Sequence, residues 1–267
     1  MKKLHFDYYM QISYSEQAAK CHYTIKCIPP DTDRQHLDGL NIEVEPENRI
    51  SRGGDSFGNQ TIYGSVNEEH DKFHFHITGD VTTGMKEYED MGNESIVGIY
   101  RYPYGLTQPG DSLYSYYESM QSSLELSSNI SAFEKGAALM HRLHQDYIYE
   151  KNVTNVTTTA EEAWKLGCGV CQDYSHILIV LCRLAGIPAR YVSGMLIGEG
   201  YSHAWVEVLS EGRWYALDPT NDIVVTDSHI KLGIGRDASD CLINRGVLKG
   251  GGSQTQIIKV CVSEIEN

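Results

Sequence analysis

Proline is scarce, at seven in 267 residues, and no tract of biased composition occurs, which argues against a long disordered segment. Basic residues are scarce too: 22 Lys and Arg stand against 36 Asp and Glu, a net charge of −14. That field repels phosphate backbones and anionic lipid, so neither nucleic acid nor a membrane is an expected partner. It would favour a cationic substrate, or do no more than keep the chain soluble. No apolar run approaches the roughly 18 residues that span a bilayer. The opening Met1-Lys2-Lys3-Leu4-His5-Phe6-Asp7 has the lysines of a secretory leader, but Asp7 and Gln11 interrupt the apolar core a leader needs. A cytoplasmic protein is the expectation. The seven cysteines are odd in number, and 41% hydrophobic residues can build a core without disulfides, so reduced thiols are expected. The Asn-x-Ser/Thr sites at Asn59, Asn93, Asn129, Asn152 and Asn155 then carry no meaning.

What is present divides the chain in two. Residues 3–85 read as short strands with period-two alternation: 23–28 ending at Pro29-Pro30, 40–44 ending near Pro46, and 72–78. One face on a core and one in water makes this an antiparallel sheet domain, placed at 1–110. Helices are expected at about Leu113–Leu126 and Ala132–Tyr149. A third begins at Cys171, runs through six apolar residues from Ile177 to Cys182, and stops at Gly186-Ile187-Pro188. Being apolar nearly all round, it should be a buried central helix. Strands at 190–196, 203–209 and 213–217, glycine loops at 233–235 and 250–252, and a last strand at 255–262 complete a second unit, 111–267. The fold class is α+β.

Gly167-Cys168-Gly169-Val170-Cys171-Gln172-Asp173 leads straight into that helix. A thiol at a helix N-terminus meets unpaired N–H groups and about half a positive charge, which favour thiolate and would hold a developing oxyanion. On this segment alone an ordinary core cysteine fits as well. A metal or redox pair at Cys168 and Cys171 fits less well: no second Cys-x-x-Cys exists, and His176, five residues on, has poor helical spacing for joint ligation. His74/His76 and His141/His144 lack further ligands and read as surface or packing residues.

Two strands joined by a short turn carry the next signal: His203-Ala204-Trp205-Val206-Glu207-Val208 and Arg213-Trp214-Tyr215-Ala216-Leu217, the second closed by Asp218-Pro219. A four-residue loop, 209–212, puts His203 directly opposite Asp218; an odd loop puts them on opposite faces. Imidazole would then take the thiol proton while the carboxylate steadies the imidazolium.

The segments 167–174, Ser202-His203-Ala204-Trp205-Val206-Glu207-Val208 and Trp214-Tyr215-Ala216-Leu217-Asp218-Pro219-Thr220-Asn221 resemble the three motifs of the bacterial transglutaminase-like superfamily, in the same order. Asp55-Ser56-Phe57-Gly58-Asn59 and Gly235-Arg236-Asp237-Ala238-Ser239-Asp240 resemble flanking motifs of one bacterial branch whose members are labelled cysteine proteases. The resemblance implies a β-rich N-terminal domain before a papain-like core, with Cys171 as nucleophile, His203 as base and Asp218 as orienting carboxylate. Gly169, Gln172, Asp173 and Trp205 would support the site or bind substrate. No cofactor and no metal are implied. The expected reaction is hydrolysis of a peptide or amide bond through a thioester, with transamidation or a non-catalytic binding module as alternatives. Trp205 and Trp214 are the candidates for the aromatic walls a transamidase needs, although Trp205 fits the core equally. The resemblance identifies no side-chain oxyanion donor, and Trp164, seven residues before Cys171, is not assigned that role.

Overall fold

The computed structural model describes residues 1–91, 97–123, 130–200 and 202–266. Leu4, Phe6, Tyr8 and Met10 alternate with exposed or half-buried partners, so the chain opens as a strand with one face inward. That strand, β1 (Lys2–Ile25), is far longer than the short strands the sequence suggests. Alternation lapses at Ser13–Gln17, but the backbone passes through a register shift there and pairing resumes at Ala18.

β1 organises an eight-stranded sheet. Its first half pairs with β5 (His70–Thr83) and β16 (Gln254–Glu264); its second half pairs with β4 (Gln60–Val66) and β15 (Asn244–Gly250). β2 (Gln35–Glu45) extends the sheet from β5, β3 (Ser51–Gly54) from β4, and β10 (Gly198–Gly200) from β16. The sheets therefore do not divide the chain at residue 110. The last strand, expected in the second unit, closes the first sheet, because Val260 and Val262 bury against its core.

The second sheet is antiparallel and contains β6 (Tyr88–Asp90), β9 (Ala189–Leu196), β11 (His203–Ser210), β12 (Arg213–Asp218), β13 (Ile223–Val224) and β14 (His229–Gly235), in the order β13-β12-β11-β9-β14 with β6 on β12. Gly233–Gly235, expected in a loop, lies inside β14: a Cβ at Gly235 would collide with the Asp240 side chain, so glycine marks close packing here. Four helices are described: α1 (Asp111–Ser123), α2 (Ala132–Asp146), α3 (Ala160–Leu166) and α4 (Cys171–Leu184). Residues 124–126 of the first expected helix lie outside the described residues. α2 stops at Asp146, because Ile148-Tyr149 (β7) leaves to pair with Cys168-Gly169 (β8). α3 was not expected, though Thr159 and Glu162 form a capping box at its start. α4 is buried from Asp173 through Arg183, and its core includes Ala189, Ala204, Val206 and Val208 of β9 and β11.

Asn59 fastens one sheet to the other. Its side chain gives Nδ2 to Ile234 O at 2.8 Å and takes Ile234 N at 2.7 Å, standing in for a strand partner of β14. Asp55 orders that turn by accepting Phe57 N and Asn59 N, and pairs with Lys26 at 2.7 Å.

Candidate active site

The approach to α4 is fixed from within. Val170 occupies the cap position without a capping side chain, and its N–H goes to Asp173 Oδ2 at 2.8 Å. Thr154 Oγ1 donates to the same oxygen at 2.7 Å. Burial pushes the Asp173 carboxyl up, and these donors partly offset that. Gly169 has no room for a side chain, since a Cβ would meet Asp173 Oδ2 and Tyr147 Oη. Cys171 therefore emerges, half-buried, as the first helical residue, where N–H groups have no intrahelical acceptor.

His203 and Asp218 come from β11 and β12. Ser210 pairs with Arg213, so the turn is the two residues Glu211-Gly212, with φ of +51° and +77°. This corrects the four-residue loop: a non-glycine residue with positive φ was not anticipated at Glu211. Both loops are even in length, so His203 and Asp218 keep one face, but as diagonal neighbours. Their side chains close the gap, His203 Nε2 lying 2.8 Å from Asp218 Oδ2. Cys171 lines the same cleft as His203 and is among the groups that act on its ring. Burial alone would lower the His203 pKa; Asp218 and Cys171 outweigh it and raise the value to about 10.

Asp218 itself is fully enclosed. Its Oδ1 accepts Thr220 N and Asn221 N at 3.0 and 3.2 Å, so the Asp-Pro turn clamps one oxygen. Its Oδ2 takes Asn221 Nδ2 at 2.7 Å and a second histidine, His229 Nε2, at 3.0 Å. Burial would raise the carboxyl, yet these contacts, His203 foremost, hold it well below the usual carboxylate range. Burial lowers the His229 pKa, more than Asp218 raises it. Ser228 Oγ lies 3.1 Å from His229 Nδ1, so the bonding pattern assigns the hydrogen to Nε2 and makes His229 a neutral donor. His229 was missed in sequence because it has no motif, only a strand position eleven residues past Asp218. The ligand atoms of His203, Asp218 and His229 lie within 4.8 Å of one another, near enough for a divalent cation, though all three already bond within the group.

Cys171 and His203 open onto a cleft of about 740 Å³. Val170, Tyr191 and Ala204 line one side; Tyr8, Met10 and Ile258 of the first sheet line the other. Ala238 joins the lining, tied to α4 by its N–H to His176 Nε2 at 3.1 Å, while Asp237 accepts Leu106 N. Of the supporting residues, Gln172 lines the cleft, and Gly169 and Asp173 act beneath it. Trp205 does not line it. It is buried with Val192, Ala216 and Val225 and meets His229 edge-on at 5.1 Å, filling the space a side chain at Gly194 would need. Trp214 is buried too, under Arg190 and against Tyr100, so neither tryptophan walls the cleft. Trp164 stacks on Tyr116 at 3.8 Å, outside the cleft lining. Cys168 is half-buried, with Sγ 3.9 Å from Leu166 O, and no disulfide is formed. Glu207, in the histidine motif, is buried in an ion cluster with Arg190 and Lys231, which also bind Glu89.

Two family descriptions match in tandem: the bacterial transglutaminase-like N-terminal region over residues 4–82 and the transglutaminase-like superfamily over residues 123–219. This chain belongs to the transglutaminase-like superfamily. Among solved structures, it resembles a proposed cysteine protease from Cytophaga hutchinsonii, with a TM-score of 0.79 and 20% identity over 100% of this chain and 92% of that one. That likeness shows the fold. An uncharacterized Mycobacterium leprae protein is 39% identical over 127 residues, 44% of each chain. A Pseudomonas aeruginosa protein-glutamine gamma-glutamyltransferase is 28% identical over 103 residues, 33% of this chain and 15% of that one. The chain spans under half the length of these two relatives. No described helix is long and apolar enough to cross a membrane.

Proposed function

We propose that this transglutaminase-like protein is a cysteine-dependent acyl-transfer enzyme that hydrolyses peptide or amide bonds, with Cys171, His203 and Asp218 as its catalytic triad. The observation that carries the reading is the chain of contacts from the helix-head thiol through His203 to a carboxylate enclosed by donors. Cys171 Sγ gives its proton to His203 and attacks the carbonyl carbon; the oxyanion is met by N–H groups at the start of α4. His203 returns the proton to the leaving amine as the C–N bond breaks, leaving a thioester. Water, deprotonated by His203, then releases the acid and frees the thiol. Asp218 stays ionised throughout and steadies the imidazolium.

Transamidation uses the same thioester and differs only in the second attacker; the similarity to a glutamyltransferase favours testing it. A transferase must shield the thioester from water. Both candidate tryptophan walls are buried elsewhere, which supports hydrolysis as the main outcome. The test incubates the protein with amide and peptide acyl donors and a millimolar primary amine, following free acid and amine adduct by mass spectrometry, with Cys171→Ala as control. Mostly adduct would reassign the enzyme as a transamidase. No product of either kind, with Cys171 no more reactive to iodoacetamide at pH 6 than exposed Cys261, would leave a binding module.

A further inference from the structure

Thirty-six residues of this chain are Asp or Glu, yet among the described residues none lines the cleft around Cys171. Lys151 is the lining's one lysine or arginine. The cleft lies between two units of the fold. The first sheet contributes an apolar wall from β1 and β16, and Gln256, exposed, sits at its rim. A volume of about 740 Å³ falls within the about 300–1,000 Å³ of pockets that engulf a ligand. Two polar side-chain atoms of lining residues, Ser193 Oγ and Asn244 Oδ1, are buried without a hydrogen-bond partner, and of the two only Asn244 Oδ1 is purely an acceptor. A buried acceptor left unpaired is costly, and a turn of the Asn244 side chain toward a substrate N–H would remove that cost.

We infer that the acyl donor, on the hydrolytic reading proposed above, is an uncharged apolar peptide segment laid between the first sheet and the head of α4, with one of its N–H groups given to Asn244. Among the described residues of the lining, a cationic side chain finds no carboxylate. The net charge of −14 then serves solubility and plays no part in recognition at this site. The first sheet becomes a specificity element, because residues of β1 and β16 touch the substrate.

The experiment measures fluorescence anisotropy of labelled peptides on the Cys171→Ala protein. The peptides are identical except for Leu, Lys or Glu beside the amide. Cleavage by the wild-type protein is followed in parallel by mass spectrometry. The leucine peptide is expected to bind at least about tenfold more tightly than either charged one, as burial of one large aliphatic side chain predicts. Gln256→Glu, at an exposed position that leaves the fold intact, should narrow the Leu/Lys ratio several-fold. Asn244→Ala should weaken all three peptides alike. Equal or tighter binding of a charged peptide, or an unchanged Leu/Lys ratio in Gln256→Glu, overturns the inference. Selective binding of the leucine peptide without cleavage leaves the substrate inference standing and removes the hydrolase reading. Cleavage with a basic preference does the reverse.

Discussion

His229 Nε2 lies 3.0 Å from Asp218 Oδ2, the oxygen that also holds His203. A neutral donor behind the carboxylate fixes its rotamer without competing for its charge. Loss of that donor should act through Asp218. His229→Phe, which keeps an aromatic ring in the pocket, is expected to lower kcat about 10–100-fold with KM little changed, by analogy with other outer residues that orient a reactive group. His229→Gln, which can still donate, should recover part of the loss. Steady-state kinetics on proteins of matched thermal stability check this; equal rates in both variants would assign His229 to packing alone.

Asp218→Asn should fold, because its oxygen can still take the Thr220 and Asn221 N–H groups. Its kcat is expected to fall by about 10⁴, as loss of the carboxylate does in other triads. Turnover near the wild-type rate would give Asp218 to the turn alone.

The raised His203 pKa carries a stability signature. Its folded value of about 10 lies above the ordinary 6.5, so the protonated ring binds the folded state better. Its stabilisation is full below pH 6.5 and lost as pH rises through about 10. Melting curves of wild type and His203→Gln should therefore differ most near pH 6 and converge toward pH 10. A gap that widens with pH would contradict the imidazolium.

Two glycines before α4 should respond differently to alanine. Gly169→Ala drives a methyl into Asp173 Oδ2 and Tyr147 Oη, and should cost about 1–3 kcal/mol and disturb the site. Gly167→Ala meets open space but holds φ at +78°, so it should cost about 1–2 kcal/mol and leave activity intact. Urea titration and a rate assay on each separate the two.

Cys168 is close in sequence to Cys171 but lies outside the cleft lining, its thiol against Leu166 O. Cys168→Ser should retain activity and show less reductant-reversible loss after peroxide. A folded but inactive Cys168→Ser would give Cys168 a part in the reaction.

Much of the site could be read from local pattern. An apolar run after a glycine-flanked cysteine marks a buried helix with a thiol at its head. Parity alone placed His203 and Asp218 on one face, whichever even loop joined them. What stayed hidden was non-local. His229 reaches Asp218 from the far edge of the sheet, across β9 and β11, and no spacing rule announces it. The length of β1 was masked by the polar lapse at Ser13–Gln17, and β16 pairs with β1 from the other end of the sequence, where no local pattern points. Trp205 was ambiguous because strand parity with His203 fits a wall and a core alike; the bare backbone of Gly194 beneath it decides for the core.

The pairing of Leu4 with Glu264 sets an order of events during synthesis. β1 leaves the ribosome long before β16 and must wait, one edge unsatisfied, until it arrives. Closing so long a loop is slow, and an open edge invites other chains. The Cys171 helix and its hairpin can assemble earlier, from local contacts. The group of Cys171, His203 and Asp218 is thus assembled before β16 completes the cleft, and a nascent chain halted short of residue 254 would carry that group in a cleft open on one side.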